Sequence, residues 1–433
     1  MNKLFNIIII VVCLLFNIFT TTNGCTNIII ERSASIDSSN IIAYNADSIG
    51  LYGSLYHYPA ADHESNEMRD VWNWDNGQYY GKIEEVSHTY NVVGNMNEFG
   101  LVIGETTFGG ISILSSQSKA KIDYGSLIWI TLQRAQNARE AIKIMSTLIA
   151  QYGWASSGES FSIIDNEEAF IMEIIGKGEY ELGAIWVAMK IPTGHITAHA
   201  NQARIRQFPL NDPENCLYAK DVISFARNIG LYTGEDKYFS FSDVYDPISF
   251  TGARWCENRV YSIFSSVMGQ DFANQYQDYA MGYNLTNRMP LFVKPSSKIA
   301  PQTIMQLFRS HYEGSSTDMS GTTFLDPGAA ASYSPYRNHP LNWASQGKNY
   351  FNERPISTQQ TGWNFVAQSR AWMPRQLSGL LWFGVDDSGT TVRFPIYGSA
   401  TRVPTAFAGK GPQDGITTPM TVFDTTKAFT VFK

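Results

Sequence analysis

The chain opens on Met1-Asn2-Lys3, followed by an apolar run from Leu4 through Phe19 broken by two asparagines, and then a small polar stretch from Thr20 to Gly24. That layout is a secretory leader. The run is shorter than the roughly 20 apolar residues a bilayer span needs, so an uncleaved anchor is the lesser alternative. Thr22 and Gly24 supply the small side chains expected just before a cut. Cleavage after Gly24 makes Cys25 the first residue of whatever folds, with a free α-amine, and divides the chain into a leader over 1–24 and a single domain over 25–433.

The segment that begins there reads as β structure. Cys25 to Ile30 and Ile41 to Tyr44 are rich in β-branched residues and flank a Ser/Asp turn region. Tyr90 to Gly94 with Gly100 to Glu105, and Ser160 to Ile164 with Ala169 to Ile175, read as further hairpins of antiparallel sheet. Helices are predicted over 124–134, 138–150, 217–229, 257–268 and 304–311. Asn137 is a plausible N-cap with Glu140 three residues on. Short strands follow near Gly379 to Val385 and Thr391 to Tyr397. No repeat or low-complexity linker divides the chain, so layered sheets covered by helices, an α+β arrangement, is the expected class.

Composition narrows the partners. Hydrophobic residues make up 44% and aromatics 13%, ample for a core, while charged residues are 16% with a net charge of −7. No basic patch or charge block appears, which argues against nucleic acid. No second stretch is long enough to span a bilayer, so no stable membrane contact is expected after leader removal. A homo-oligomer stays open. Without Cys13 of the leader, Cys25, Cys216 and Cys256 remain, an odd count that suggests one pair and one free thiol. Either Cys216 pairs with Cys256, or both are buried and reduced. Asn284-Leu285-Thr286 is an N-glycosylation acceptor in a secretory route.

Cys25 stands out on chemical grounds. Thiol and α-amine on one residue place a nucleophile beside a base of reference pKa about 7.7 to 8.0. Acyl transfer then needs neutral donors for the oxyanion. The seven histidines show no familiar zinc spacing with Cys, Asp or Glu, and His195 with His199 lies in an expected strand, where i, i+4 side chains do not converge. No metal or other cofactor is expected. The aromatic stretch from Trp72 to Tyr80 reads as cleft lining, packing or surface loop.

Cys25-Thr26-Asn27-Ile28, Asn45-Ala46-Asp47, Asn97-Glu98-Phe99-Gly100-Leu101 with Glu105-Thr106-Thr107, and His199 to Ile205 (HANQARI) follow one another in the order seen in C69-type dipeptidases. Arg254 to Arg259 (RWCENR), His311 to Gly314 (HYEG), Asp318-Met319 and Leu381 to Gly384 (LWFG) continue the series. The chain resembles that family over most of its length. The resemblance implies an N-terminal-nucleophile hydrolase with a four-layer αββα sandwich, distantly similar to penicillin V acylase and bile salt hydrolase.

By that resemblance Cys25 attacks the amide carbonyl, Asp47 orients its amine, Asn201 donates to the oxyanion, and Arg259 is the distal arginine of the site. Thr107 stands where the acylases carry a second asparagine, and Tyr44 where they carry an arginine. Each has a plainer reading: a turn cap for Asp47, a structural turn for Asn201, an exposed helix salt bridge for Arg259, an acylated or incidental first residue for Cys25. The expected substrate is a dipeptide or short peptide, whose ammonium needs an acidic partner, and Glu105 at a strand end is the candidate. An N-acyl amino acid acylase and an inactive relative serving binding or traffic are the alternatives. The destination is the medium or a lysosome-like vesicle.

Overall fold

The computed structural model describes residues 24–48, 53–115, 117–319, 335, 342–405 and 407–409. The leader expectation falls almost wholly on residues 1–23, outside the described residues. The class is α+β. Six antiparallel strands form one sheet in the order Ile196–His199, Thr26–Ile30, Asn40–Asp47, Thr361–Ser369, Gly379–Val385 and Phe394–Tyr397. A nine-stranded sheet is centred on Val102–Gly109, Gly158–Ile164, Ala169–Gly176 and Ala184–Lys190.

Alternation along the strands sorts their side chains into separate cores. Ile29, Ile42 and Phe365 of the first sheet pack with Val102, Ile171 and Val187 of the second. On its other face the first sheet sets Ile28, Ile30 and Val366 against Val260, Ile263 and Phe264 of the helix Asn258–Met268. The second sheet's other face sets Ile103, Phe161 and Met172 against Leu127 and Met145 of the helices Tyr124–Leu132 and Ala138–Tyr152. The second of these starts as its sequence implies: Asn137 accepts from the Glu140 N–H, and the Glu140 carboxylate accepts from the Gln136 N–H.

Three expectations are corrected. Residues 217–229 are not one helix: Cys216–Tyr218 pairs with the edge of the nine-stranded sheet, and the helix is Val222–Asn228. The helix near 304 starts earlier, at Pro301, whose fixed φ suits a first helical position, and ends at Leu307. The strand near 391 is Phe394–Tyr397. The three cysteines Cys25, Cys216 and Cys256 are free thiols, which favours the reduced reading of the last two.

Between the sheets the apolar core gives way to polar pins. Asn27 pairs across the ladder with both Tyr44 and His199, so all three face inward. His199 bonds the Thr106 and Ser162 hydroxyls, each at 2.7 Å, and Asn27 donates to the Glu105 carbonyl at 2.6 Å. Gly104 permits that approach, since a Cβ there would lie 2.6 Å from Asn27 Oδ1. Burial, with Arg204 nearby, lowers the His199 pKa to about 3, so it pins the sheets as a neutral ring. By the same alternation Cys25, two residues before Asn27, faces inward where the strand ends.

Replacing His199 with leucine takes one partner from each of two buried hydroxyls, leaving Ser162 its bond to Asn27 Oδ1 at 3.1 Å and Thr106 the Asn201 N–H at 3.3 Å, and is expected to cost about 1–3 kcal/mol of stability. Urea unfolding reads this directly, and an unchanged midpoint would refute the pin.

Candidate active site

Cys25 lies half-buried in the lining of a recess of about 130 Å³, open to solvent, whose walls include Tyr44, Asp47, Glu105, Asp75 and Tyr124. Its Sγ is 3.3 Å from Tyr44 Oη and 3.7 Å from Glu105 Oε1. Tyr44 Oη donates to Glu105 Oε1. That spends the phenol's single proton, so the thiol is the donor, to the phenol oxygen or to Glu105 itself. Edge-on contacts with Trp363 and Phe365, at 5.0 and 5.5 Å between centroids, fix the Tyr44 ring. Burial raises the thiol pKa well above its ordinary value, reinforced by Glu105 and Asp47, while the Tyr44 hydrogen bond and the Asp47 N–H lower it.

The acidic side of the recess is held near neutrality. Burial raises Glu105 to about 7 against the lowering effect of its bonds with Tyr44 and Glu159. Glu159 is raised further, by burial and then by the Glu105 charge. Burial thus favours the neutral form of both carboxyls, and a charge on Glu105 further disfavours one on Glu159. Thr107 Oγ1 donates to Glu159 Oε1 at 2.8 Å. Nearer the mouth, the Tyr124 hydroxyl donates to exposed Asp75 at 2.6 Å. Trp74 and Trp129, stacked at 3.8 Å, add an apolar wall.

Around the backbone of Gly24 and Cys25 stand two guanidiniums and one carboxyl. Arg354, 3% exposed, donates to the Gly24 carbonyl and lies 3.7 Å from Asp47 Oδ2. Asp47 accepts from Thr361 Oγ1 at 2.7 Å through Oδ1 and has no hydrogen-bond donor on Oδ2 among the described residues. Burial raises its pKa to about 7 in spite of Arg354 and Thr361. Arg259 is fully buried at the start of the helix Asn258–Met268. It donates to the Cys25 carbonyl at 2.7 Å, Thr26 Oγ1 at 2.9 Å, the Trp255 carbonyl at 2.7 Å, and the Ala200 carbonyl and Asn201 Oδ1 at 3.0 Å each. Asn201, at a positive φ of 68°, donates through Nδ2 to the Thr107 carbonyl at 2.6 Å. That leaves one amide hydrogen uncommitted.

All six residues singled out in the sequence thus converge. Cys25, Asp47, Glu105 and Thr107 line the recess, and Asn201 and Arg259 close it behind Gly24 and Cys25. The exposed-salt-bridge reading of Arg259 is corrected, because every partner it has among the described residues is neutral. Sequence reasoning missed Glu159, Arg354, Asp75 and Tyr124. A glutamate inside the β pattern Gly158–Ile164 was the one available signal; Arg354 lies outside any periodic element. The aromatic stretch divides: Trp74 both packs and lines the recess, while exposed Tyr79 does not.

Comparison with known proteins supplies the family. The chain is 26% identical over 392 residues to a probable dipeptidase of Salmonella dublin, covering 86% of this chain and 81% of the relative. Over 377 residues it is 21% identical to a probable dipeptidase of Latilactobacillus sakei, covering 84% and 71%. Over 409 residues it is 21% identical to dipeptidase A of Lactobacillus helveticus, covering 88% and 77%. The model of peptidase family C69 matches residues 24–431, so the chain belongs to that family and hydrolyses peptide bonds.

Proposed function

We propose that this peptidase is an exported cysteine dipeptidase whose mature chain begins at Cys25. The observation that carries the reading is the position of Cys25, lining a recess with the Glu105 carboxyl beside its sulfur and the Arg259 and Arg354 guanidiniums on the carbonyls of Cys25 and Gly24. The family match starts at Gly24, which leaves the leader outside it. The relatives named as dipeptidases support the substrate class. The separate cores on either face of the two sheets support the four-layer αββα sandwich of N-terminal-nucleophile hydrolases. Asn284, exposed and accepting from Thr286, would carry the glycan in a eukaryotic secretory route.

Removal of Gly24 turns the Cys25 amide into an amine, and the buried Asp47 Oδ2, lacking a donor, is suited to hold it. Cys25 sulfur attacks the scissile carbonyl, its proton passing to the α-amine. Asn201, through its uncommitted amide hydrogen, stabilises the oxyanion. The amine then protonates the leaving nitrogen, the C–N bond breaks, and water hydrolyses the thioester. Tyr44, whose proton goes to Glu105, sets its phenol oxygen against the sulfur where the acylases carry an arginine. Glu105 and Asp75 attract the substrate's ammonium, which favours free-amine peptides over N-acyl amino acids.

Cys25→Ala is expected to lower kcat for Ala-Ala-type dipeptides at least about 1,000-fold, relative to native protein whose first residue is shown by mass spectrometry to be Cys25. A mature chain starting elsewhere, or an active alanine form, overturns the reading. Glu105→Gln should raise KM for free-amine dipeptides and leave N-acylated ones little changed; equal effects on both would remove Glu105 from ammonium binding. Because Glu105 titrates at about 7 and is charged above that value, KM for free-amine dipeptides should fall as pH rises toward 7 in the native enzyme. A flat profile, or the same slope in Glu105→Gln, contradicts this.

A further inference from the structure

Gly24 is held as tightly as any residue in the site. Its N–H donates to the Asp47 carbonyl at 2.9 Å, and its own carbonyl accepts from Arg354 Nη2. A Cβ on it would lie 2.2 Å from Arg354 Nη1 and 2.4 Å from Asn201 Oδ1, so only glycine fits against the flat of that guanidinium. Once Gly24 leaves, the slot it filled is walled by Arg354 and opens beside Cys25.

The departure also strips Arg354 of an acceptor. Its Nε already has no partner among the described residues. Its one carboxylate neighbour among the described residues, Asp47, stands at 3.7 Å, beyond good hydrogen-bond distance. Arg259 lies close enough to disfavour its charge, and Arg259 is bound to neutral acceptors alone. A buried guanidinium left so poorly matched calls for an anion, and its planar fork suits a carboxylate.

We propose that the slot vacated by Gly24 is the subsite for the substrate's C-terminal carboxylate, with Arg354 as the group that binds it. This rests on the dipeptidase reading and on a chain beginning at Cys25. Glu105 stands 3.7 Å from the sulfur, with Asp75 in the same recess, while Arg354 bonds the Gly24 carbonyl, so the site presents a negative pole at the Cys25 side chain and a positive one at its backbone on the Gly24 side. A zwitterionic dipeptide spans them with its amide at Cys25 and its ammonium toward Glu105. A longer peptide cannot place its carboxylate at Arg354 while its first amide meets the sulfur. Arg354 therefore sets length as well as chemistry, and it had no role in the sequence reading.

The test compares L-alanyl-L-alanine with L-alanyl-L-alaninamide, which differ only in that carboxylate. Native enzyme is expected to favour the acid by about ten- to a hundredfold in kcat/KM, the range for a charge-assisted hydrogen bond. Arg354→Gln should lose most of that preference, chiefly through KM for the acid, and Arg354→Lys should keep an intermediate preference. Arg354→Lys retains the charge and decides the matter if the glutamine form does not fold. Equal losses on acid and amide would assign Arg354 to the oxyanion or to structure and overturn the proposal, as would a native enzyme indifferent to the carboxylate.

Binding separates this proposal from the catalytic reading. In Cys25→Ala protein, the acid should raise Tm and the amide should not, and Arg354→Gln should abolish the difference. Arg354-dependent binding without turnover by the native enzyme would defeat the dipeptidase reading alone. Turnover without that dependence would defeat the carboxylate subsite alone.

Discussion

A guanidinium with no carboxylate to pair with must find neutral acceptors for its N–H groups, or leave a buried charge uncompensated. Arg259 finds them on the two segments that meet at the site: the Cys25 carbonyl and the Thr26 hydroxyl at the start of one strand, the Ala200 carbonyl and Asn201 side chain just past the end of its neighbour. The helix that carries it packs on the outer face of the same sheet. The position of Cys25 is therefore set from behind, by packing and by hydrogen bonds that do not depend on pH. The His199 and Asn27 pins then fix the strand to the opposite sheet, which brings Glu105 beside the sulfur.

Much of this was legible in the chain itself. The β-branched run after Cys25, the hairpins around 160 to 175 and the Asn137 cap carry strong local signals, and the structure follows them. Asp47 at a strand end, Asn201 just past one, and Glu105, which lies inside the strand Val102–Gly109 and not at its end as expected, were found because the ordered motifs locate them. What stayed hidden was set by distant contacts. Cys216–Tyr218 became a strand because an edge of the larger sheet was open to it, which overrode the helical pattern that follows. Arg354 meets Gly24 across 330 positions of sequence, and Glu159 meets Glu105 through strand pairing. Arg354 has no local sequence signature, and that of Glu159 is no more than a glutamate inside a β pattern.

The site divides its charges by burial as much as by residue type. Glu105 and Asp47 are both held near neutrality by desolvation, yet their surroundings differ: Glu105 faces a second carboxyl, Asp47 a guanidinium. The sulfur between them is neutral while its backbone nitrogen remains in an amide, because burial outweighs the Tyr44 hydrogen bond. Freeing that nitrogen adds a base next to the thiol and withdraws Gly24 from Arg354 in the same event. On the proposed reading, activation of the nucleophile and opening of the substrate slot are one covalent step, which would keep the unprocessed chain inert.

The central claim is that Cys25 reacts only as a first residue. It is tested most directly by quenching the enzyme in acid during turnover of a slow dipeptide ester, digesting it and locating the acyl group by mass spectrometry. The account predicts a thioester on Cys25, confined to chains that begin there and missing from those that retain Gly24. An acyl group on Cys216 or Cys256, or on Cys25 of unprocessed chains, would contradict it.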